Sequence, residues 1–240
     1  MLQIELRHDA SPCFGWLHFN REQLRPLVGE AVPSLITFTE HDMQERLRVE
    51  AFIRDTYAKT YRAEIVVSYP VLMSVRDADG RLLAAMGIQD VMRGGFFLER
   101  YLDEPLEIAI GRAAGETADR LEILEVGNLA SQSSGAAKFL FLAFHAVAAA
   151  RDYDWVAVTA TAVLHRYFNS LGIETRKLAD ASSDRMSDTT SKWGTYYEMR
   201  PRVLVNTIPQ GLKALLDHFK AEYTDVHGLR LALHDLPCRA

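Results

Sequence analysis

The stretch that decides the fold reads EVGNLASQSSGAAKFLFL, residues 125–142. Its beginning has the pattern of a strand, and its end has the pattern of a strongly apolar helix. Between them, SQSSGAA forms a row of small residues longer than a simple turn requires. The first four N–H groups of a helix lack partners within it, and the helix dipole adds positive charge there. The stretch therefore predicts an anion site at a strand-to-helix junction.

Small side chains at this junction would let a phosphate group approach the free N–H groups without steric obstruction. The alternative is an ordinary glycine-containing helix start, but a helix cap needs only one serine. The residues predicted to bind a cofactor are Ser131, Gln132, Ser133, Ser134, Gly135, Ala136 and Ala137.

The regions on either side of this junction show alternating helix and strand patterns. Before it, the sequence predicts a helix capped by Thr39, a β-hairpin around residues 77–80 and a strand over residues 121–130. After it come a helix over residues 135–151, the apolar strand WVAVTAT, a helix that stops at Gly172, a strand IETRKLA and the β-rich segment TYYEMRPRVLV. This alternation with apolar strands predicts an α/β fold, with a central mixed sheet flanked by helices.

The domain organisation is predicted from where these patterns begin and end. Residues 1–38, which are broken by prolines, are interpreted as an N-terminal appendage, and residues 39–208 as the main domain. Residues 209–240 are interpreted as a closing helix and tail, with Pro209 at the start of the helix.

The composition argues against several classes of function. A formal net charge of −5 over 240 residues gives no reason to bind nucleic acid. The two cysteines, Cys13 and Cys238, form no disulfide framework, and the N-terminus lacks a secretory pattern, so we expect a cytoplasmic protein. The eight histidines lack the spacing of metal ligands, and no metal is expected. The longest apolar window, residues 139–150, is too short to span a membrane.

Three family resemblances agree with an anion site. Residues 132–137 resemble the Q/R-x-x-G-x-G/A phosphate loop of the GCN5-related N-acetyltransferase (GNAT) superfamily, in which the loop binds the pyrophosphate of acyl-coenzyme A (acyl-CoA). EVGNLAS, WVAVTAT, FNSLGIE and WGTYYEMRPRV resemble segments of the thermostable hemolysin family. EVGNLA also resembles the E-x-S-R-F-A segment of acyl-homoserine-lactone synthases, and RVEAF, residues 48–52, resembles their R-x-x-x-F helix.

These resemblances imply a GNAT-like fold and an acyl donor, either acyl-CoA or acyl carrier protein. Two departures concern the acceptor: Asn128 replaces the arginine of the synthases, and their acidic cluster for S-adenosylmethionine is absent from the sequence. In many GNAT enzymes a tyrosine protonates the leaving thiolate. Phe168 occupies that position here, and Tyr167 lies one residue, or about 100° of helix rotation, away.

Several residues are candidates for the chemistry. Glu125 is predicted to act as a base or amine ligand, with Glu122 as an alternative, because an amine attacks a thioester only when it is neutral. Asn128 is predicted to hold the pantetheine amide or the oxyanion, as is Ser131, although both also suit a bulged strand. The residues predicted to bind substrate are Arg48, Phe52, Phe97, Glu107, Thr159, Phe168 and Trp193.

The leading hypothesis is an N-acyltransferase that moves a fatty acyl group to a small amine or amino acid. Two alternatives stay open: a hemolysin acting directly on membranes, and a non-catalytic acyl-CoA-binding protein. The expected partners are the acyl donor, the amine acceptor and, for a carrier-protein donor, acyl carrier protein. Membrane contact is undecided by the sequence.

Overall fold

The structure is a computed structural model that describes residues 2–8, 13–19, 32–41, 44–132, 134–186 and 191–219. The strands in these ranges are β1 Leu2–His8, β2 Cys13–Phe19, β3 Leu35–Thr39, β4 Val71–Arg76, β5 Leu82–Gln89, β6 Ile123–Ser131, β7 Trp155–Ala160, β8 Arg176–Asp180 and β9 Arg202–Thr207. The helices are α1 Arg46–Tyr61, α2 Leu106–Ala114, α3 Ser134–Ala149, α4 Ala162–Ser170 and α5 Ile208–Phe219. Short 3₁₀ turns occur at Val91–Arg93, Phe97–Tyr101, Arg120–Glu122, Ser183–Arg185 and Tyr196–Met199.

The described strands form one mixed sheet in the order β2-β1-β3-β4-β5-β6-β7-β9-β8. Two neighbouring pairs are parallel, β1 with β3 and β6 with β7, and the other neighbours are antiparallel. The parallel β6–β7 pair is joined by α3, which crosses over one face of the sheet as parallel connections require. This architecture confirms the predicted α/β class with a mixed sheet flanked by helices.

Helices cover both faces of the sheet. On one face α3 packs with α5, and the rings of Phe139 and Phe219 lie 5.2 Å apart between them. On the other face α1 buries Val49, Ile53 and Tyr57 against the sheet. The small alanines of β5 and of the start of α3 allow this close packing, since their side chains occupy little space.

The start of α1 corrects the prediction of a cap at Thr39. Thr39 is buried at the end of β3, where it pairs with Leu72 of β4, so its backbone belongs to the sheet. The helix begins at Arg46 after the cap residue Glu45. Residues 42–43, which follow the predicted cap, lie outside the described part of the chain.

Two other predicted elements also differ. The strand predicted from Ile173 begins at Arg176. The segment TYYEMRPRVLV was predicted to be β-rich, but its residues Tyr196–Met199 form a 3₁₀ turn. The turn ends before β9 because Arg200 adopts a left-handed conformation (φ 49°). The division at residue 38 stays a prediction, although β3 crosses that position and continues the sheet.

Candidate active site

The two central strands β6 and β7 separate in the middle of the sheet. Their parallel ladder runs from Ile123 and Trp155 to Val126 and Val158, where the pairing ends although both strands continue. At the same level β6 bulges against β5, because two residues, Asn128 and Leu129, lie opposite one residue of β5. Asn128 takes a left-handed conformation (φ 49°), which asparagine adopts more readily than most residues. The bulge turns β6 away from β7.

A cavity of about 440 Å³ lies at this separation. One end is apolar and includes Val126, Phe141, Val158, Leu164 and Phe168. The other end is aromatic, and the centroids of its rings, apart from that of Tyr69, lie 5.3 to 6.4 Å from those of neighbouring rings. The aromatic end is lined by Tyr57, Tyr61, Tyr69, Phe97, Tyr101, Trp193 and Tyr196. Residues of both faces of the sheet therefore line one cavity.

Glu125 of β6 is buried behind the cavity wall, with 1% of its surface exposed. Its Oε1 accepts a hydrogen bond from the Tyr69 hydroxyl (2.7 Å), and its Oε2 accepts one from the Gln89 amide (2.8 Å). Burial raises the pKa of Glu125 to about 7, although these hydrogen bonds and the N–H groups of Leu98 and Phe97 act in the opposite direction. Glu125 is therefore a carboxyl group whose charge changes near neutral pH.

Tyr69 connects this carboxyl group to the cavity. Its ring lies flat on the sheet above the paired glycines of β5 and β6, Gly87 and Gly127. A Cβ atom at either glycine would come within 2.3 Å or 2.0 Å of Tyr69 atoms, so only glycine leaves room for the ring. Tyr69 is fully buried against these neighbours, and burial raises its pKa well above 10. Its hydroxyl is therefore neutral at ordinary pH.

The backbone of Tyr69 is fixed by Arg46 at the start of α1. The Arg46 guanidinium donates to the carbonyl oxygens of Tyr69 (2.6 Å) and Pro70 (3.1 Å), and to Glu50 (2.7 Å). Arg46 is 2% exposed, which is rare for an arginine unless its donors are satisfied. Neither Tyr69 nor Arg46 was predicted from the sequence as a functional residue. The available signal was a glycine inside each of two strands, which marks a close approach of another group.

The predicted phosphate loop lies at the N-terminus of α3. That helix begins at Ser134, three residues after Ser131 at the end of β6, and Ser131 lines the cavity. The Gln132 N–H donates to the Leu83 carbonyl oxygen (2.9 Å), and its side chain is exposed. Gly135, Ala136 and Ala137 are buried in the first turn. Ser133 and the side chain of Ser134 lie outside the described part.

Four of the predicted substrate-binding residues line the cavity: Phe97, Thr159, Phe168 and Trp193. Thr159 Oγ1 and Trp193 Nε1 are buried without a hydrogen-bond partner among the described residues. Asn128 also lines the cavity, and its side chain reaches the hydroxyl of Tyr57.

The other three predicted substrate-binding residues lie elsewhere. Arg48 is exposed and donates to the Gly80 carbonyl oxygen (2.7 Å), and Phe52 packs on α1 beside the core. Glu107 forms an ion pair with Arg120 (2.6 Å) in a separate surface depression. The structure does not bring these three to the cavity, and their roles stay predictions.

The structure separates the two pairs of alternative residues that the sequence left open, Phe168 or Tyr167 and Glu125 or Glu122. Phe168 lines the cavity, and its ring centroid lies 5.4 Å from that of Phe141. The centroid of the Tyr167 ring lies 6.2 Å from the same Phe141 ring, but Tyr167 does not line the cavity. Glu122, the alternative to Glu125, lies in the 3₁₀ turn before β6 and does not line the cavity.

A protein-family model matches most of this chain. The family model described as thermostable hemolysin matches residues 39–212. The chain belongs to the thermostable hemolysin family. No curated protein sequence matches it.

Among solved structures, this thermostable hemolysin family member is similar to the acyl-homoserine lactone (AHL) synthase LasI, with a TM-score of 0.53 and 13% identity over 76% of this chain and 94% of that chain. It is similar to apo TofI with a TM-score of 0.53 and 16% identity, over 75% of this chain and 95% of that chain. At these identities the likeness concerns the fold. It confirms the predicted α/β fold with a mixed sheet and the resemblance to AHL synthases.

Neither a metal site nor a membrane-spanning helix is found among the described residues. Among them, no group of three or more acidic, histidine or cysteine side chains is placed to hold a metal ion. No described helix combines the length and apolar character that crossing a bilayer demands.

Proposed function

We propose that this protein is an N-acyltransferase that moves an acyl group from an acyl thioester to a small amine. The observation that carries the proposal is the cavity at the β6–β7 separation: it has an apolar end, it reaches Ser131 just before the start of α3, and its wall residue Tyr69 is hydrogen-bonded to the buried Glu125. The fold shared with the AHL synthase LasI supports an acyl-transfer reaction.

The apolar end of the cavity suits the acyl chain of the donor. Val126, Phe141 and Phe168 offer an apolar surface, which favours burial of each methylene group by about 0.8 kcal/mol. The N–H groups at the start of α3 would then receive the phosphates of coenzyme A or of the carrier-protein pantetheine. The donor is therefore acyl-CoA or acyl carrier protein, which share this chemistry.

The aromatic end suits the acceptor amine. Trp193 Nε1 can only donate a hydrogen bond, and Thr159 Oγ1 can donate or accept one, so a ligand with an oxygen atom would satisfy both buried groups. The tyrosine and tryptophan faces also attract an ammonium group before it loses its proton. The acceptor class is therefore a small amine that carries an oxygen function.

The reaction follows from these positions. The neutral amine attacks the thioester carbonyl carbon, a C–N bond forms, and the C–S bond breaks to release a thiolate. The backbone at Asn128 leaves the regular ladder, and we propose that an N–H group of this bulge donates to the carbonyl oxygen as it gains charge. Glu125, with a pKa near 7, is matched to accept the proton that the amine loses.

The phosphate site is tested by Gln132→Glu, because Gln132 is exposed at the N-terminus of α3. A glutamate there stabilises the helix slightly, by about 0.3–1 kcal/mol, yet repels phosphate. Isothermal titration with hexadecanoyl-CoA should show at least a tenfold weaker affinity for this variant than for the natural protein. Ala150→Glu, which adds the same charge at the exposed other end of α3, should leave the affinity unchanged.

Equal affinity of all three proteins for hexadecanoyl-CoA would contradict the phosphate site. Binding without any thiol release in the presence of small amines from a cell extract would instead favour a non-catalytic acyl-CoA-binding protein. Leakage of dye from phosphatidylcholine vesicles caused by pure protein, with no thioester present, would favour direct membrane damage.

A further inference from the structure

We infer that Tyr69 is a catalytic residue, which takes the proton from the acceptor amine and passes its own proton to Glu125. This inference rests on the proposed acyl transfer and adds the group that contacts the amine. It starts from the position of Glu125, because the carboxyl group does not line the cavity and therefore needs an intermediate group.

Tyr69 is the side chain that spans this gap. Its hydroxyl donates to Glu125 Oε1 at 2.7 Å, and Tyr69 itself forms part of the cavity wall. Gln89, the other side chain bonded to Glu125, holds Oε2 from outside the cavity. Among the described residues, a proton leaving the cavity for Glu125 Oε1 therefore has a direct path through the Tyr69 hydroxyl.

The surrounding structure holds this path in place. Gly87 and Gly127 leave room for the ring to lie on the sheet, and Arg46 binds the Tyr69 carbonyl oxygen at 2.6 Å. The two strand glycines thus accommodate the ring, and the buried arginine fixes the backbone that carries it. Such fixed geometry is what proton transfer requires, since the donor and acceptor must stay within hydrogen-bond distance.

The proton balance closes without another reactant. As the amine nitrogen forms its bond to the thioester carbon, its proton moves to the Tyr69 oxygen while the Tyr69 proton moves to Glu125 Oε1. The C–S bond breaks, and the departing thiolate takes a proton from water. After the product leaves, Glu125 returns its proton through the Tyr69 hydroxyl to water in the cavity, and Tyr69 is a neutral phenol at the beginning and at the end.

The variant Tyr69→Phe tests this role, because it keeps the ring that packs on the two glycines and removes only the hydroxyl. Gln89→Met is its matched control: it also removes a hydrogen bond to Glu125, but from outside the cavity. Both are expressed in cells, and N-acylated lipids are quantified by mass spectrometry per amount of soluble protein. General acid–base groups contribute about 10²–10⁴-fold, so Tyr69→Phe should lower the product at least about 100-fold and Gln89→Met at most about tenfold.

Four outcomes would overturn the relay or the proposed function on which it rests. Near-normal product from Tyr69→Phe, or equal losses in both variants, would overturn the relay, because Tyr69 would then only stabilise Glu125. No product from the natural protein would instead overturn the proposed function. If Tyr69→Phe is insoluble, a ring-fluorinated tyrosine at position 69 keeps the hydroxyl and lowers its pKa, and an unchanged pH profile of product formation would then overturn the relay.

Discussion

Glu125 places a titratable charge where water does not reach it. Its pKa rises from 4.5 to about 7 on folding, so the folded state binds more protons than the unfolded state between these two pH values. The contribution of Glu125 to stability is then highest below pH 4.5 and falls as the pH rises through 7. The shift corresponds to roughly 3 kcal/mol of unfolding free energy above that range.

The variant Glu125→Gln should therefore be more stable than the natural protein at pH 8, by about 1–3 kcal/mol, because it removes the cost of a buried charge. The difference should shrink as the pH falls through the range of the Glu125 pKa. Urea unfolding at several pH values measures it. A stability difference that does not change with pH would show that Glu125 keeps an ordinary pKa.

Arg46 and Arg48 form a matched pair of arginines in the first turn of α1. Arg46→Ala should lower the unfolding free energy by about 3 kcal/mol, because the carbonyl groups of Tyr69 and Pro70 lose a buried charged donor. Arg48→Ala, at an exposed side chain, should cost less than about 1 kcal/mol. Equal costs for the two variants in urea unfolding would contradict the fixing role of Arg46.

At the scale of elements, β6 combines a buried acid, a glycine and a bulge within five residues, 125–129. The variant Gly127→Ala should cost about 2–3 kcal/mol, because its Cβ would meet the Tyr69 hydroxyl at 2.0 Å. In a Tyr69→Ala background the same change should cost much less, since the obstructing ring is gone. A double-mutant cycle of unfolding free energies measures this coupling, and additive costs would contradict the ring position.

Most elements could be predicted from the sequence because their signals are local. The hairpin around Gly80, the stop at Gly172 and the apolar helix α3 follow from turn residues and from hydrophobic periodicity. The prediction that Thr39 caps α1 was wrong, because pairing of β3 with β4 overrides the local capping preference of a threonine. Tertiary contacts decide such boundaries.

The candidate site was predictable only where its residues lie in one local stretch of sequence. Glu125, Asn128 and the small residues before α3 lie in one continuous motif, which the family resemblances cover. Tyr69 and Arg46 come from a separate loop and helix, and only the packed sheet brings Tyr69 within 2.7 Å of Glu125. A single sequence shows no such long-range pairing.

At the scale of the whole molecule, the cavity joins both faces of the sheet, so its two ends can be altered separately. Leu164→Trp would fill part of the apolar end from α4 and should shorten the longest acyl chain found in the product. His165→Trp, the next residue on the same helix but outside the cavity wall, should leave the chain length unchanged. Mass spectra of the N-acyl products measure both, and equal chain lengths for Leu164→Trp and the natural protein would place the acyl chain elsewhere.

The central claim is that this chain transfers acyl groups to amines. Its most direct test is mass spectrometry of lipid extracts from cells that express the natural protein, compared with cells that express Gln132→Glu at the same soluble level. The account predicts new N-acylated species with the natural protein and at least a tenfold loss with the variant, and the product masses would identify the acyl chain and the acceptor. Identical extracts from cells with and without the natural protein, at equal levels of folded protein, would contradict the claim.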